Sequence, residues 1–143
     1  MTLLPIFDHL TTLYKEALEK DGIQLIVECN AQLELDTNEE LMIRVLVNLI
    51  RNALESMEQT DHEKILKLSA EKLADTTQII VADTGPGISE DNLDQIFIPF
   101  FTTKKNGNGI GLSLSRQIVN QLGGRISVRS IPKETVFTLQ FNE

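Results

Sequence analysis

The chain has no tryptophan, one tyrosine, one cysteine, four prolines and two histidines in 143 residues. A single Cys29 cannot close an intrachain disulfide, which suits a reducing compartment. No apolar run approaches the ~18 residues a membrane helix needs, and the start MTLLPIFDHL lacks the basic segment of a secretory signal. No internal repeat, low-complexity tract or Pro/Ser-rich linker interrupts the chain, so residues 1–143 read as one domain. Acidic residues are missing from one long stretch. Residues 95–133 hold none, but carry Lys104, Lys105, Arg116, Arg125, Arg129 and Lys133, whereas residues 1–94 carry 19 acids against 7 bases. The net charge of −8 argues against nucleic acid as a partner. The basic stretch reads either as chance clustering on a solvated face or as the place an anion visits.

What is present has clear periodicity. Leu4, Ile6, Phe7, Leu10, Leu13, Tyr14 and Leu18 have helical spacing, which predicts a helix over 4–20 that Gly22 stops. Residues 23–28 and 32–35 read as short strands. Thr37-Asn38-Glu39-Glu40 has the form of a capping box before a long helix to Met57. Strands are expected at 64–72, 77–82, 125–130 and 135–141, a helix over 110–122, and mostly loop over 84–109. Helices and strands fall in groups, which favours a two-layer α/β sandwich of the α+β type over a doubly wound sheet.

Four segments carry chemistry. On the long helix, at about 100° per residue, Asn48, Asn52 and Glu55 fall within about 60° of one another, opposite Met42, Leu46, Leu49, Ala53 and Met57. Asparagine is a poor helix former, so the stripe is either a solvated face or a place where the two asparagine amides offer neutral oxygen ligands to a hard cation such as Mg²⁺. The apolar run Ile79–Ala82 leads into Asp83-Thr84-Gly85-Pro86-Gly87-Ile88. That segment is good turn chemistry; equally, a carboxylate at a strand mouth accepts from a ligand amine, while Gly85 and Gly87 allow close approach of a ring. Lys104-Lys105-Asn106-Gly107-Asn108-Gly109-Ile110-Gly111-Leu112 precedes a helix, as a flexible cap or as a phosphate cradle at a positive helix end. It is not a P-loop, since no Gly-Lys-Ser/Thr closes it. Finally, residues 97–101 hold three of the six phenylalanines. They form a small hydrophobic cluster with Phe97 and Phe100 as feet, or anchor a lid with a Thr-Lys tip.

Taken in order, these segments resemble the ATP-binding domain of the sensor histidine kinases, which shares its Bergerat-type fold with gyrase B, MutL and the ninety-kilodalton heat-shock chaperones. Asn48-Leu49-Ile50-Arg51-Asn52-Ala53 resembles the N box, Asp83 to Ile88 the first glycine box, Ile96 to Lys104 the F box, and Gly107 to Leu112 the second glycine box. The resemblance implies a mixed, mostly antiparallel sheet with helices on one face, a leading helix over 1–21, and an F box and lid over 95–109. It implies ATP and Mg²⁺ as ligands. Asn52 would hold Mg²⁺ with Asn48 beside it. Asp83 would accept the adenine amino group next to Gly85, Gly87 and Ile88. Phe97, Lys104, Lys105, Gly107, Gly109, Ile110, Gly111 and Leu112 would supply the lid and phosphate cradle, and Thr135 would lie near the base.

Two residues depart from the family pattern. Glu134 stands where a glycine usually precedes the threonine, and Glu55 stands where many relatives carry lysine. A carboxylate cannot clamp phosphate, so either Lys104 or Lys105 carries more of that task, or Glu55 supports the ligands from outside. The ATPase relatives place a water-activating glutamate at the position of Asn48, and an amide is no general base. The resemblance thus implies a kinase domain with catalytic residues Asn48 and Asn52, transferring the γ-phosphoryl group to a histidine. His9 and His62 lack the expected context and are read as solvated, so the acceptor is placed on a dimerisation hairpin outside this chain. The further implications are a response regulator as indirect partner, an isolated domain that is monomeric, and a cytoplasmic location even if a parent protein is membrane-anchored. The alternatives are a nucleotide-gated inhibitory module and an anti-sigma-type serine kinase; the full F box argues against the latter.

Overall fold

The computed structural model describes residues 1–102 and 111–142. Its elements are α1 (Leu3–Leu13), α2 (Lys15–Lys20), β1 (Gln24–Cys29), α3 (Glu39–Met57), β2 (Ile65–Leu73), β3 (Thr76–Asp83), α4 (Glu90–Leu93), α5 (Gly111–Gln121), β4 (Gly124–Ile131) and β5 (Glu134–Asn142). The strands form one sheet in the order β1-β2-β3-β5-β4. The β1–β2 pair is parallel and the others are antiparallel.

Strict alternation along the strands decides which face is covered. Leu66, Leu68 and Ala70, then Ile79 and Val81, then Phe137, Leu139 and Phe141 are all buried on one side. Against them pack Met42, Val45, Leu46, Leu49, Ile50, Ala53 and Met57 of α3, with Leu3, Phe7 and Leu10 of α1 and Ile118 and Val119 of α5. The opposite face stays partly open and carries the Lys67–Glu28 pair at 3.4 Å. The result is the expected two-layer sandwich, with a mixed, mostly antiparallel sheet.

Several local expectations fail for reasons of packing. The helix predicted over 4–20 breaks at Tyr14 (φ −99°, ψ 8°), because the core-facing row of α1 ends at Leu10 while α2 buries only Leu18. Residues 32–35 do not join the sheet; Glu34 bridges Thr2, and the amides of Leu3 and Leu35 bond the carbonyls of Leu33 and Met1. The cap of α3 is Asn38, whose Oδ1 accepts from Leu41 N at 2.9 Å. Thr37 is displaced from that role and its buried hydroxyl has no partner among the described residues. His62, expected to be solvated, is half-buried instead.

Thr77 is fully buried on the core side of β3, and its Oγ1 likewise has no partner among the described residues. Replacing a lone buried hydroxyl by a methyl removes a desolvation cost without a lost bond. Thr77→Val is expected to raise stability by about 1 kcal/mol, read as a higher urea midpoint at unchanged slope.

Candidate functional site

Asp83 is the last residue of β3, 5% exposed, and its register neighbours are Leu66 on β2 and Thr135 on β5. Gly85 N–H donates to its Oδ1 at 2.8 Å, and Ser56 Oγ donates to the same oxygen at 3.2 Å while also reaching Ala53 O at 2.9 Å. Burial pushes the carboxyl up to about 6; the hydrogen bonds from Gly85 and Ser56 pull the other way and are outweighed. Both donors among the described residues take Oδ1, so Oδ2 is the acceptor offered to a ligand.

The loop after Asp83 is held from two sides. Thr84 Oγ1 accepts from Ile65 N at 2.9 Å and donates to Glu63 O at 2.8 Å, and the Thr84 carbonyl accepts from His62 Nε2. His62 is therefore a clamp on this loop, not a solvated side chain, whereas His9 is exposed. On the other side, Ile88 N donates to Ser130 Oγ at 2.7 Å. The glycines are dictated by this crowding. A Cβ on Gly85 would lie 2.6 Å from Ser56 Oγ and 2.9 Å from Asp83 Oδ1. Gly87 has φ +86°, and a Cβ there would lie 2.5 Å from the Ile131 carbonyl oxygen. Thr135, 5% exposed, contacts Ser130 Oγ at 3.1 Å. Glu134, in place of the usual glycine, closes the β4–β5 hairpin opposite Ile131, and Lys133 takes the positive φ (71°) that the turn needs.

A second cluster lies along the same helix. Asn48 and Asn52 are half-buried on α3, one turn apart, while Glu55 and Arg51 are exposed. Asn48 Nδ2 donates to Ser115 Oγ at 2.7 Å, and Ser115 is 2% exposed. Asn48 Oδ1 faces the start of α5, where a Cβ on Gly111 would lie only 2.5 Å away. Leu112 packs against the core beside it. Along α3, Asn48 and Ser56 are separated by about 12 Å of helix axis, a span that an extended nucleotide bridges. Among the described residues no group of three His, Cys, Asp or Glu side chains converges to hold a metal. A divalent cation would take amide oxygens from α3 and complete its shell with phosphate and water, the mixed coordination that suits Mg²⁺.

The F-box expectation holds for one foot and fails for the other. Phe97 meets Phe137 edge-to-face (6.4 Å, 87°), and Arg116 Cζ lies 5.6 Å from its ring centre. Phe100 is 74% exposed with φ +72°, a backbone that turns its ring outward, and Ile96 is the second buried anchor. Lys104, Lys105, Gly107, Gly109 and Ile110 lie outside the described residues. Sequence reasoning missed Ser56, Ser130, Ser115 and Arg116. Ser56 alone had a local signal, being one turn beyond Asn52 on the same stripe.

A buried carboxylate at the end of β3, held by Ser56 of α3, and an amide pair further back along the same helix, over a mixed sheet, are the features expected of an ATP-binding domain. The sequence profile of the histidine kinase-, DNA gyrase B-, and HSP90-like ATPases matches residues 37–143. The sensor histidine kinase ZraS of Escherichia coli (strain K12) is 35% identical over 136 residues, 94% of this chain and 29% of ZraS. The catalytic domain of histidine kinase ThkA superposes with a TM-score of 0.88 at 30% identity, covering 99% of this chain and 93% of that one. ThkA has also been solved in complex with response regulator protein TrrA (TM-score 0.84, 27% identity, 99% of this chain and 40% of that one). The chain belongs to this ATPase family and, within it, to the catalytic domains of the sensor histidine kinases. It spans less than a third of the length of the curated relatives it matches. No helix among the described residues is long and apolar enough to cross a membrane.

Proposed function

We propose that residues 1–143 act as one domain that binds ATP with Mg²⁺ and transfers the γ-phosphoryl group to a histidine on a dimerisation hairpin of a larger kinase. Asp83 takes the adenine amino group, with Gly85, Gly87, Ile88 and Thr135 around the base. Asn52 supplies an amide oxygen to the metal. Gly111 and Leu112 at the start of α5, with Lys104, Lys105, Gly107, Gly109 and Ile110 before it in sequence, receive the phosphates, and Phe97 anchors the start of the F box on Phe137. Mg²⁺, when bound, neutralises phosphate charge and orients the γ-group.

The observation that carries this reading is Asn48. Its amide occupies the place where water activation needs a carboxylate, and it is fixed to Ser115 at 2.7 Å. It can orient but cannot take a proton from water. A neutral imidazole needs no such base: its nitrogen bonds to the γ-phosphorus as the bond to the bridging oxygen breaks and ADP leaves. The ThkA–TrrA complex supports a response regulator as the next acceptor in this chain's parent, and the site is suited to the cytoplasm, where ATP is plentiful.

The test is transfer from labelled ATP to the parent's histidine hairpin supplied in trans. Asn52→Ala is expected to lower the rate by about 100-fold while the fold is kept. Transfer at the wild-type rate in that variant would remove Asn52 from the site. ATP binding without transfer to any hairpin would favour the nucleotide-gated module instead.

A further inference from the structure

The geometry points to Ser130 as a specificity-determining residue, one that orients the Thr135 hydroxyl so that the site accepts a 6-amino purine and rejects a 6-oxo purine. This deepens the ATP-binding reading above and rests on it. Asp83, Thr135 and Ser130 are register partners on three adjacent strands, β3, β5 and β4. Their side chains therefore form one row on the helix-covered side of the sheet.

The direction of the Thr135 proton follows from counting hydrogens. A serine hydroxyl has one proton to give and two lone pairs. Ser130 Oγ receives the Ile88 N–H at 2.7 Å, so one lone pair is used. It reaches the Glu134 carbonyl at 3.1 Å, and a carbonyl only accepts, so the proton goes there. The remaining contact, Thr135 Oγ1 at 3.1 Å, must then be filled by the threonine proton. Ser130 is saturated, and Thr135 donates to it. Thr135 thus offers lone pairs to the neighbouring position in the row, beside Asp83. Two acceptors side by side suit the N–H groups of an exocyclic amine and repel a carbonyl oxygen. Without the Ser130 oxygen, the Thr135 proton can turn and greet a carbonyl.

The test compares the affinities of ATP and inosine triphosphate, which differ at the 6-position (amino against oxo) and at the adjoining N1 (bare against protonated), for the 143-residue chain. In Ser130→Ala the preference for ATP is expected to fall about tenfold. Ser130→Thr, which keeps the hydroxyl, retains it. In a Thr135→Val background, adding Ser130→Ala changes the preference no further, which a merely structural serine would not produce. A Ser130→Ala preference within about twofold of wild type, with Asp83→Asn still abolishing ATP binding, overturns the role of Ser130 alone. Wild-type ATP binding in Asp83→Asn overturns the base assignment itself.

Discussion

Asp83→Asn is expected to stabilise the nucleotide-free domain while removing its affinity for ATP. The carboxyl titrates at about 6 in the folded chain against an ordinary 3.8. Between those values the folded state keeps a proton that the unfolded chain has released. Stability from this group is therefore complete below about pH 4 and is lost as pH rises through about 6. By pH 7 the loss amounts to roughly 3 kcal/mol, because each tenfold difference in proton affinity between the folded and unfolded chain is worth about 1.4 kcal/mol. A neutral amide of the same shape escapes it and still accepts from Gly85 N–H and Ser56 Oγ. Urea unfolding at pH 7 should show a gain of about 1–3 kcal/mol for the variant, shrinking toward zero at pH 4. ATP affinity should fall at least ~100-fold, because the amide turns N–H toward the base amine. A variant less stable than wild type at pH 7, with an unchanged pH profile, would refute the argument.

Gly87→Ala is expected to cost about 100-fold in ATP affinity with a much smaller loss of global stability. Two penalties coincide at Gly87. Its φ of +86° is strained for any side chain, and the new Cβ would sit 2.5 Å from the backbone oxygen of Ile131. That oxygen belongs to a strand paired with β5 and cannot retreat. The loop must instead lift from the hairpin, breaking the Ile88–Ser130 bond and spoiling the base site. Gly85→Ala meets the Ser56 hydroxyl first, a side-chain end that can rotate, so its effect should be smaller. Calorimetric titration of ATP, with thermal unfolding of the nucleotide-free variants, reads both effects. Equal losses for Gly85→Ala and Gly87→Ala would mean that backbone crowding is not the cause.

The sequence was informative wherever the signal is local. Period-two alternation placed β2, β3, β4 and β5 to within one or two residues, and every residue of the arc Met42, Leu46, Leu49, Ala53 and Met57 on α3 is buried, with Val45, Ile50 and Leu54 added to it. Asp83 stood out because a carboxylate ending an apolar strand before two glycines has a chemical reason to be there. What could not be read depends on partners far along the chain. Tyr14 breaks a helix whose two halves face different parts of the core. Residues 33–35 pair with residues 1–3, a contact no window of sequence contains. His62 looked solvated until the Thr84 carbonyl came within reach, and Ser130 became meaningful only once the hairpin register set it beside Thr135. Phe100 looked like an anchor by composition, but its backbone turns it out.

In the proposed ATP pose, helix α3 would meet both ends of the nucleotide, through Ser56 beside Asp83 at the base and Asn48 with Asn52 at the phosphates. It therefore acts as a phase-locked ruler. One residue inserted between Asn52 and Ser56 would leave the hydrophobic content almost unchanged. It would rotate the two asparagines by about 100° relative to the serine, so that no single pose of ATP could satisfy both ends. The tolerance of this domain to insertions should thus be lowest in the short interval between those side chains, where no loop can absorb the change.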